Sequence, residues 1–284
     1  IQRFDREVGE MLQTLADQGE LENTLVVMTG DNGLPFPRAK SNLYDAGTRV
    51  PLAMRWPARI KSGRVVEDLV SLQDLAPTFL QAAGRDVPAA MTGHSLLGHL
   101  TSERSGRLDP ARDHVLVGKE RHARVRQGGL GYPCRGLRTY DYLYIRNFQP
   151  DRWPAGDPAD GAEPYSSTRT YGDIDDGPTK AYLLEHRDDP AVRRLFELAV
   201  AKRPAEELYD LHKDPDQLHN VAADPTYARV KEDLAARLMT ELKATRDPRV
   251  IGNGDVFDTY PYYGGRSSAK QKAKSDKAKV RKKK

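Results

Sequence analysis

Apolar residues recur at helical spacing from the first position of the chain. Ile1, Phe4, Val8, Met11, Leu12 and Leu15 fall on one stripe, with Arg3, Asp5, Arg6 and Glu10 largely off it. The spacing predicts a helix over 1–18, and Gly19 stands where a helix C-cap is wanted. Residues 24–29, Thr-Leu-Val-Val-Met-Thr, form a continuous apolar run with β-branched members. That is the pattern of a strand buried on both faces, as in a parallel sheet. The run stops at the sharp turn Gly30-Asp31-Asn32-Gly33, and 49–56 reads as another strand ended by Pro57. Residues 69–72 are a short apolar stretch. Asp74 stands as the N-cap of a helix over 75–83 that Gly84 stops, with Pro77 at a position where its missing N–H costs little. Helix, strand, turn, strand and helix are the grammar of an α/β domain.

The pattern changes after about residue 112. A short strand is predicted over 114–118, and 135–139 and 142–147 flank Tyr140-Asp141 as a β-hairpin. Residues 150–178 are rich in Pro, Gly and Asp and poor in aliphatics, which predicts a long loop. A helix over 190–201 is capped by Asp189 and carries Val192, Leu195, Phe196 and Ala199 on one stripe. After a short strand over 207–211, a helix over 225–244 is capped by Asp224 and turns Tyr227, Val230, Leu234, Leu238 and Leu242 inward. Strands and helices without strict alternation predict an α+β subdomain. Three regions are therefore expected: an α/β part over 1–112, an α+β part over 113–266 and a disordered basic tail over 267–284.

Composition sharpens this picture. The 284 residues are 38% hydrophobic and 30% charged, with no run of 18 apolar residues to span a membrane. Cys134 is the single cysteine, which excludes an internal disulfide framework and a cysteine-based zinc cluster. The net charge of +4 is uneven. Residues 267–284 hold eight Lys, one Arg and one Asp, so residues 1–266 carry −4. The basicity belongs to the tail, no aromatics interleave with its lysines, and no specific nucleic-acid partner is expected.

The candidate chemistry begins at Asp31 and Asn32. In open α/β sheets, ligands bind outside the carboxyl ends of strands, and a carboxylate beside an amide oxygen offers hard donors suited to Ca²⁺ or Mg²⁺ rather than zinc. The same four residues also read as an ordinary Asn-Gly turn with a capping Asp. Lys40, eight residues beyond Asn32, is placed to neutralise an anion or to lie solvated on the surface. Lys119-Glu120-Arg121-His122-Ala123-Arg124 is a polar cluster at a strand end. His94, His99, His114, His186, His212 and His219 show no metal-ligand spacing. Tyr132, Tyr140, Tyr142 and Tyr144 are better read as packing residues than as sugar platforms, and Trp153 with its loop is a candidate lid.

Residues 24–33 followed by Lys40-Ser41-Asn42-Leu43-Tyr44-Asp45-Ala46-Gly47-Thr48-Arg49-Val50-Pro51-Leu52 resemble the second half of the catalytic domain of formylglycine-dependent sulfatases, in the alkaline-phosphatase superfamily. Asp74-Leu75-Ala76-Pro77-Thr78-Phe79, Glu207-Leu208-Tyr209-Asp210-Leu211, Asp214-Pro215 and Asn220-Val221 resemble later landmarks, in family order. The stretch Asp31-Asn32-Gly33-Leu34-Pro35-Phe36-Pro37, and Gly131-Tyr132-Pro133-Cys134-Arg135, resemble the heparan N-sulfatase (N-sulfoglucosamine sulfohydrolase, or sulfamidase) group.

The resemblance implies the C-terminal half of a mostly parallel sheet sandwiched by helices, then a smaller α+β subdomain with an antiparallel sheet. It implies that Asp31 and Asn32 are ligands of one Ca²⁺ and that Lys40 is a catalytic residue contacting the sulfate. His122 would contact saccharide or sulfate. The implied reaction is hydrolysis of a sulfate ester or sulfamate on a sulfated glycosaminoglycan sugar, in a periplasmic, secreted or lysosome-like compartment. The sequence departs from the family at one decisive point. It has no Cys/Ser-x-Pro-x-Arg motif, and Cys134-Arg135-Gly136-Leu137-Arg138 has glycine where the proline belongs. Cys134 therefore reads as a small packed residue, the formylglycine nucleophile is expected upstream of this chain, and the chain alone is expected to be inactive. The rival readings are a phosphodiesterase or phosphonate hydrolase of the same superfamily, against which the lack of nearby histidines counts, and a non-catalytic glycan-binding module. The basic tail is open to anionic partners or to a merely solubilising role.

Overall fold

The computed structural model of the protein describes residues 1–158 and 170–263. Two compact units make it up. The first comprises Ile1–Asn32, Arg49–Leu116 and Leu137–Tyr142; the second comprises Gly33–Thr48, Val117–Gly136 and Leu143–Lys284. The units interleave along the chain, whereas the sequence suggests consecutive regions meeting after residue 112. The basic tail over 267–284 lies outside the described residues.

In the first unit a helix spans Gln2–Asp17. Gly19 ends it at φ +73°, a value that favours glycine, with its N–H on Ala16 O at 2.9 Å and the Glu20 N–H on Leu15 O at 2.9 Å. No residue of this helix is buried, and Phe4 and Met11 on its apolar stripe are exposed. Strand β1 (Val26–Thr29) pairs with β2 (Leu52–Arg55), Val26 opposite Arg55 and Thr29 opposite Leu52. The pairing is antiparallel, and Met28 and Thr29 are exposed. This corrects the expectation of a doubly buried strand in a mostly parallel sheet for the part that is described. A continuous apolar run shows that a strand suits burial but carries no direction, and direction is set by the strand it meets.

The helix Leu75–Ala82 is present, but Asp74 does not cap it. A single 3₁₀ turn, Leu72–Asp74, precedes the helix, so Ser71 is the cap and Asp74 already sits within the turn. The Asp74 carboxylate instead accepts from the backbone N–H groups of Ser71 at 3.0 Å and His94 at 2.8 Å, and from the Arg112 guanidinium at 2.8 Å. It is a buried tie rather than an end signal.

A four-stranded sheet runs in the order β3 (His114–Lys119), β4 (Cys134–Thr139), β5 (Tyr142–Asn147) and β6 (Glu206–Asp210), and the expected hairpin is its central pair. The parts of these strands that belong to the second unit carry its core, in which Tyr132, Cys134, Leu143, Ile145 and Tyr209 pack with Leu43 and Tyr44. A second cluster gathers Ala155, Tyr171, Ile174, Ala199 and Val200. Asp189 caps the helix Pro190–Val200 by accepting the Ala191 N–H; Val192 and Ala199 are buried, and Leu195 is exposed against expectation. In the helix Ala228–Ala244, Leu234, Leu238 and Leu242 are buried. Asp224 caps the single turn Pro225–Tyr227 ahead of it. Among the described residues no helix is long and apolar enough to cross a membrane. The mixed α/β class with an antiparallel sheet stands as expected.

Candidate functional site

In the first unit, Asp31 and Asn32 follow β1 after Gly30, and both are exposed. The turn is started by the Gly30 N–H donating to Pro51 O at 3.3 Å. Among the described residues no group of three or more His, Cys, Asp or Glu is placed to hold a metal. Ca²⁺ takes six to eight oxygens. The carboxylate and amide of Asp31 and Asn32 have the right hard-oxygen chemistry and fit as two members of such a shell, not as a complete one.

In the second unit, residues 33–48 form a loop closed at its neck by the Gly33 N–H on Gly47 O at 3.2 Å. Both glycines are needed for close approach. A Cβ on Gly33 would lie 2.4 Å from Ala46 O and 2.5 Å from Gly47 Cα, and one on Gly47 would lie 2.3 Å from Ala39 O. Lys40 sits between Arg38 and Ser41, both at positive φ (63° and 65°), a backbone state unusual outside glycine. Side chains hold it there. Arg38 donates to Leu198 O and Gln217 O and stacks 4.0 Å from the Tyr44 ring centroid. Ser41 O accepts from Lys119 Nζ at 2.7 Å, and the Asp45 N–H donates to Gln217 Oε1 at 2.8 Å.

Lys40 Nζ lies 2.9 Å from Asp175 Oδ2. Two residues earlier, Asp173 Oδ1 meets His122 Nδ1 at 3.1 Å. The other oxygen of Asp173 accepts from Arg126 Nη2 at 2.6 Å, with Lys119 Nζ 3.8 Å away. Ile174, between the two carboxylates, is buried in the second hydrophobic cluster, and Lys180 Nζ donates to its carbonyl at 2.9 Å. The segment 173–175 therefore ties Lys40 and His122 to one strip of backbone. Neither Asp173 nor Asp175 stands out in the sequence, where they belong to a loop read only as Asp-rich. Their one signal is carboxylate density, Asp173-Ile174-Asp175-Asp176.

Burial pushes the Asp173 carboxyl up, but the hydrogen bond from His122 and the charges of Arg126 and Lys119 outweigh it and hold the group at about 2. Burial lowers the Lys119 ammonium, with Asp173 opposing. Lys119 and Tyr132 also line a small cavity of about 10 Å³ with Ser41, Asn42, Arg203 and Glu207. Tyr132 is 2% exposed, and its hydroxyl and the Ser41 hydroxyl have no hydrogen-bond partner among the described residues. The space suits about one water molecule, the usual partner of such groups.

Cys134 is a core residue, 4% exposed, and burial pushes its thiol up to about 11 although Lys119 opposes. A neutral, enclosed thiol is a poor nucleophile, in keeping with its reading as packing. Tyr132 and Tyr144 are likewise buried. Trp153 packs on the second cluster, its ring centroid 6.1 Å from that of Tyr171. Residues 159–169 of the candidate lid lie outside the described residues.

Residues 1–85 match the family model described as Sulfatase. The chain is 31% identical over 263 residues to the N-sulphoglucosamine sulphohydrolase of Homo sapiens, which covers 90% of this chain and 49% of that protein. It is 29% identical over 259 residues to an ulvan-active sulfatase of Formosa agariphila, covering 91% of this chain and 39% of that one. The chain thus spans about half or less of the length of these relatives. In fold it is similar to BT4656, solved with its substrate D-glucosamine-2-N,6-O-disulfate, at a TM-score of 0.59 and 24% identity, over 86% of this chain and 40% of that one. It is also similar in fold to the phosphonate monoester hydrolase of Agrobacterium radiobacter, at a TM-score of 0.54 and 22% identity, over 86% and 39%.

Proposed function

From the premise that residues 1–85 belong to a sulfatase-family domain, we propose that the chain serves in hydrolysis of a sulfate ester or sulfamate on a sulfated amino sugar. N-Sulfoglucosamine of the heparan type is the first candidate substrate. The observation that carries this reading is the tie of Lys40 and His122 to one short segment through Asp175 and Asp173. Two groups suited to an oxyanion and its sugar are held by carboxylates that fix their positions. The sequence kinship to an N-sulphoglucosamine sulphohydrolase supports the choice of sugar.

In this reading the Lys40 ammonium contacts the sulfate oxygens and stabilises charge that builds on them during transfer. Asp175 keeps the Lys40 side chain from wandering. His122 contacts the sugar or its sulfate. Asp31 and Asn32 are proposed as two oxygen ligands of a Ca²⁺, which when bound would supply Lewis-acid chemistry. The nucleophile is proposed to be a formylglycine outside this sequence, since no Cys/Ser-x-Pro-x-Arg occurs here and Cys134 is enclosed. An exported compartment, periplasmic, secreted or lysosome-like, completes the proposal.

The test is a pair of assays on the purified 284-residue chain. Calorimetry should register N-sulfoglucosamine binding, with glucosamine 6-sulfate as the O-sulfated comparison and unsulfated glucosamine as the blank. A hydrolysis assay should release no sulfate. Equal affinity for glucosamine would defeat the sulfate-recognition reading, and steady turnover would defeat the assignment of the nucleophile to another segment.

A further inference from the structure

Asp173 is an unusual carboxylate for a loop. It is 2% exposed, yet it faces three basic side chains from one stretch of the second unit, Val117–Gly136. Arg126 and Lys119 approach Oδ2 at 2.6 and 3.8 Å, and His122 Nδ1 approaches Oδ1 at 3.1 Å. Its backbone is fixed as well, the Asp173 N–H donating to Ala155 O at 2.9 Å and the Ile174 N–H to Tyr171 O at 3.0 Å. Arg126 is itself 2% exposed and is anchored on Trp153 O at 2.6 Å and Pro154 O at 2.8 Å. The carboxylate is thus held at both of its oxygens, and one of its partners is markedly more exposed than Lys119 and Arg126, whose side chains are 10% and 2% exposed. That partner is His122, whose side chain is 33% exposed.

We propose that Asp173 is a positioning residue for His122, holding the imidazole with its proton on Nδ1 and presenting Nε2 to the sulfated sugar. An ionised carboxylate only accepts hydrogen bonds, so the ring nitrogen beside it carries the hydrogen. The neutral ring then has its lone pair on Nε2, and the protonated ring has an N–H there. In either state the group offered outward is Nε2, at an orientation set by a partner that cannot turn. A histidine oriented in this way by a carboxylate is the usual arrangement when one ring nitrogen is to meet a ligand. Arg126 and Lys119 keep Asp173 in the acceptor-only state, and the same two-residue step of backbone sets Asp175 against Lys40. The inference rests on the sulfated-sugar reading for the identity of the ligand, and on the geometry alone for the tautomer.

The experiment is ¹⁵N NMR of the imidazole groups of the 284-residue chain, with His122→Gln used to assign the resonances. At a pH above the titration of the ring, the wild-type chain is expected to hold His122 as the Nδ1–H tautomer, against the Nε2–H form that free imidazole side chains favour. Addition of N-sulfoglucosamine should then move the Nε2 resonance more than Nδ1. Asp173→Asn and His122→Gln should each weaken binding about tenfold or more. The wild-type tautomer needs no variant, so the proposal stays open to refutation even where Asp173→Asn fails to fold. An Nε2–H tautomer in the wild-type chain overturns it. Sugar binding that is lost in Lys40→Ala but kept in His122→Gln also overturns it while leaving the reading of the site intact. Absence of binding by the wild-type chain, with the Nδ1–H tautomer present, removes the sugar reading and with it the ligand assigned to Nε2.

Discussion

Lys40 and Asp175 stand 135 residues apart in the chain, and their Nζ and Oδ2 atoms are 2.9 Å apart. The two side chains are 25% and 37% exposed, so the pair sits where solvent still screens it. Such a pair contributes at most about 1 kcal/mol to stability. Its value lies in fixing where a positive charge is held.

Lys40→Ala and Asp175→Asn are therefore expected to separate affinity from stability. Thermal melts of both variants should stay within about 1 kcal/mol of the parent, while calorimetric affinity for N-sulfoglucosamine falls sharply in the first and less in the second. A Lys40→Ala chain that binds the sugar as the parent does would remove Lys40 from the site.

The proposed cation pair has its own measurement. Titration of the purified chain with Ca²⁺ should give a saturable signal that disappears in Asp31→Ala and in Asn32→Ala. In a chain that also carries the proposed formylglycine segment, the same substitutions should abolish most turnover. Wild-type turnover by either variant would take both residues out of the metal's coordination.

Acid stability reports on Asp173. Its folded value of about 2 lies below the 3.8 of an unperturbed aspartate, so the unfolded chain binds more protons between these values. Its contribution is fully present above about pH 4 and is lost as pH falls through 2, on the order of 2 kcal/mol in all. Asp210 and Asp258 are also held low and steepen the acid limb, although burial opposes it in both. The informative quantity is hence the difference between the parent and Asp173→Asn. Melting temperatures from pH 5 to 2 should fall less steeply in the variant, and parallel curves would contradict the shift.

Cys134 should be inert in the folded chain. With the thiol 4% exposed and pushed to about 11, an aromatic disulfide reagent at pH 8 should label it only after denaturant is added. Labelling of the native chain at the rate of a free thiol would reopen its case as a nucleophile.

Local signals in the sequence translated well where the physics is local. Asp189 before Pro190 and the glycine at position 19 act within a few residues, and both ends lie where the pattern puts them. The β4–β5 hairpin follows from alternation over a short turn. Asp74 misled because a cap and a residue one turn inside share the same chemistry, and only the extra 3₁₀ turn separates them. Strand direction for β1 was beyond reach, since hydrophobicity has no sense of direction. The positions of Lys40 and His122 drew notice from their residue types and neighbours. The carboxylates that hold them did not, because each pairing joins residues far apart in the chain, and no window along the sequence contains both partners.

The neck of the 33–48 loop has a consequence of its own. Gly33 and Gly47 meet through a backbone hydrogen bond, at a spacing that leaves no room for a Cβ on either. Exposed positions along the loop, such as Leu34 and Phe36, can be exchanged for others of different charge or size while the buried Leu43 and Tyr44 and the point of suspension stay put. The loop is a cassette: its mounting is written in two glycines and in the buried Leu43 and Tyr44, and what it presents is written in its exposed positions.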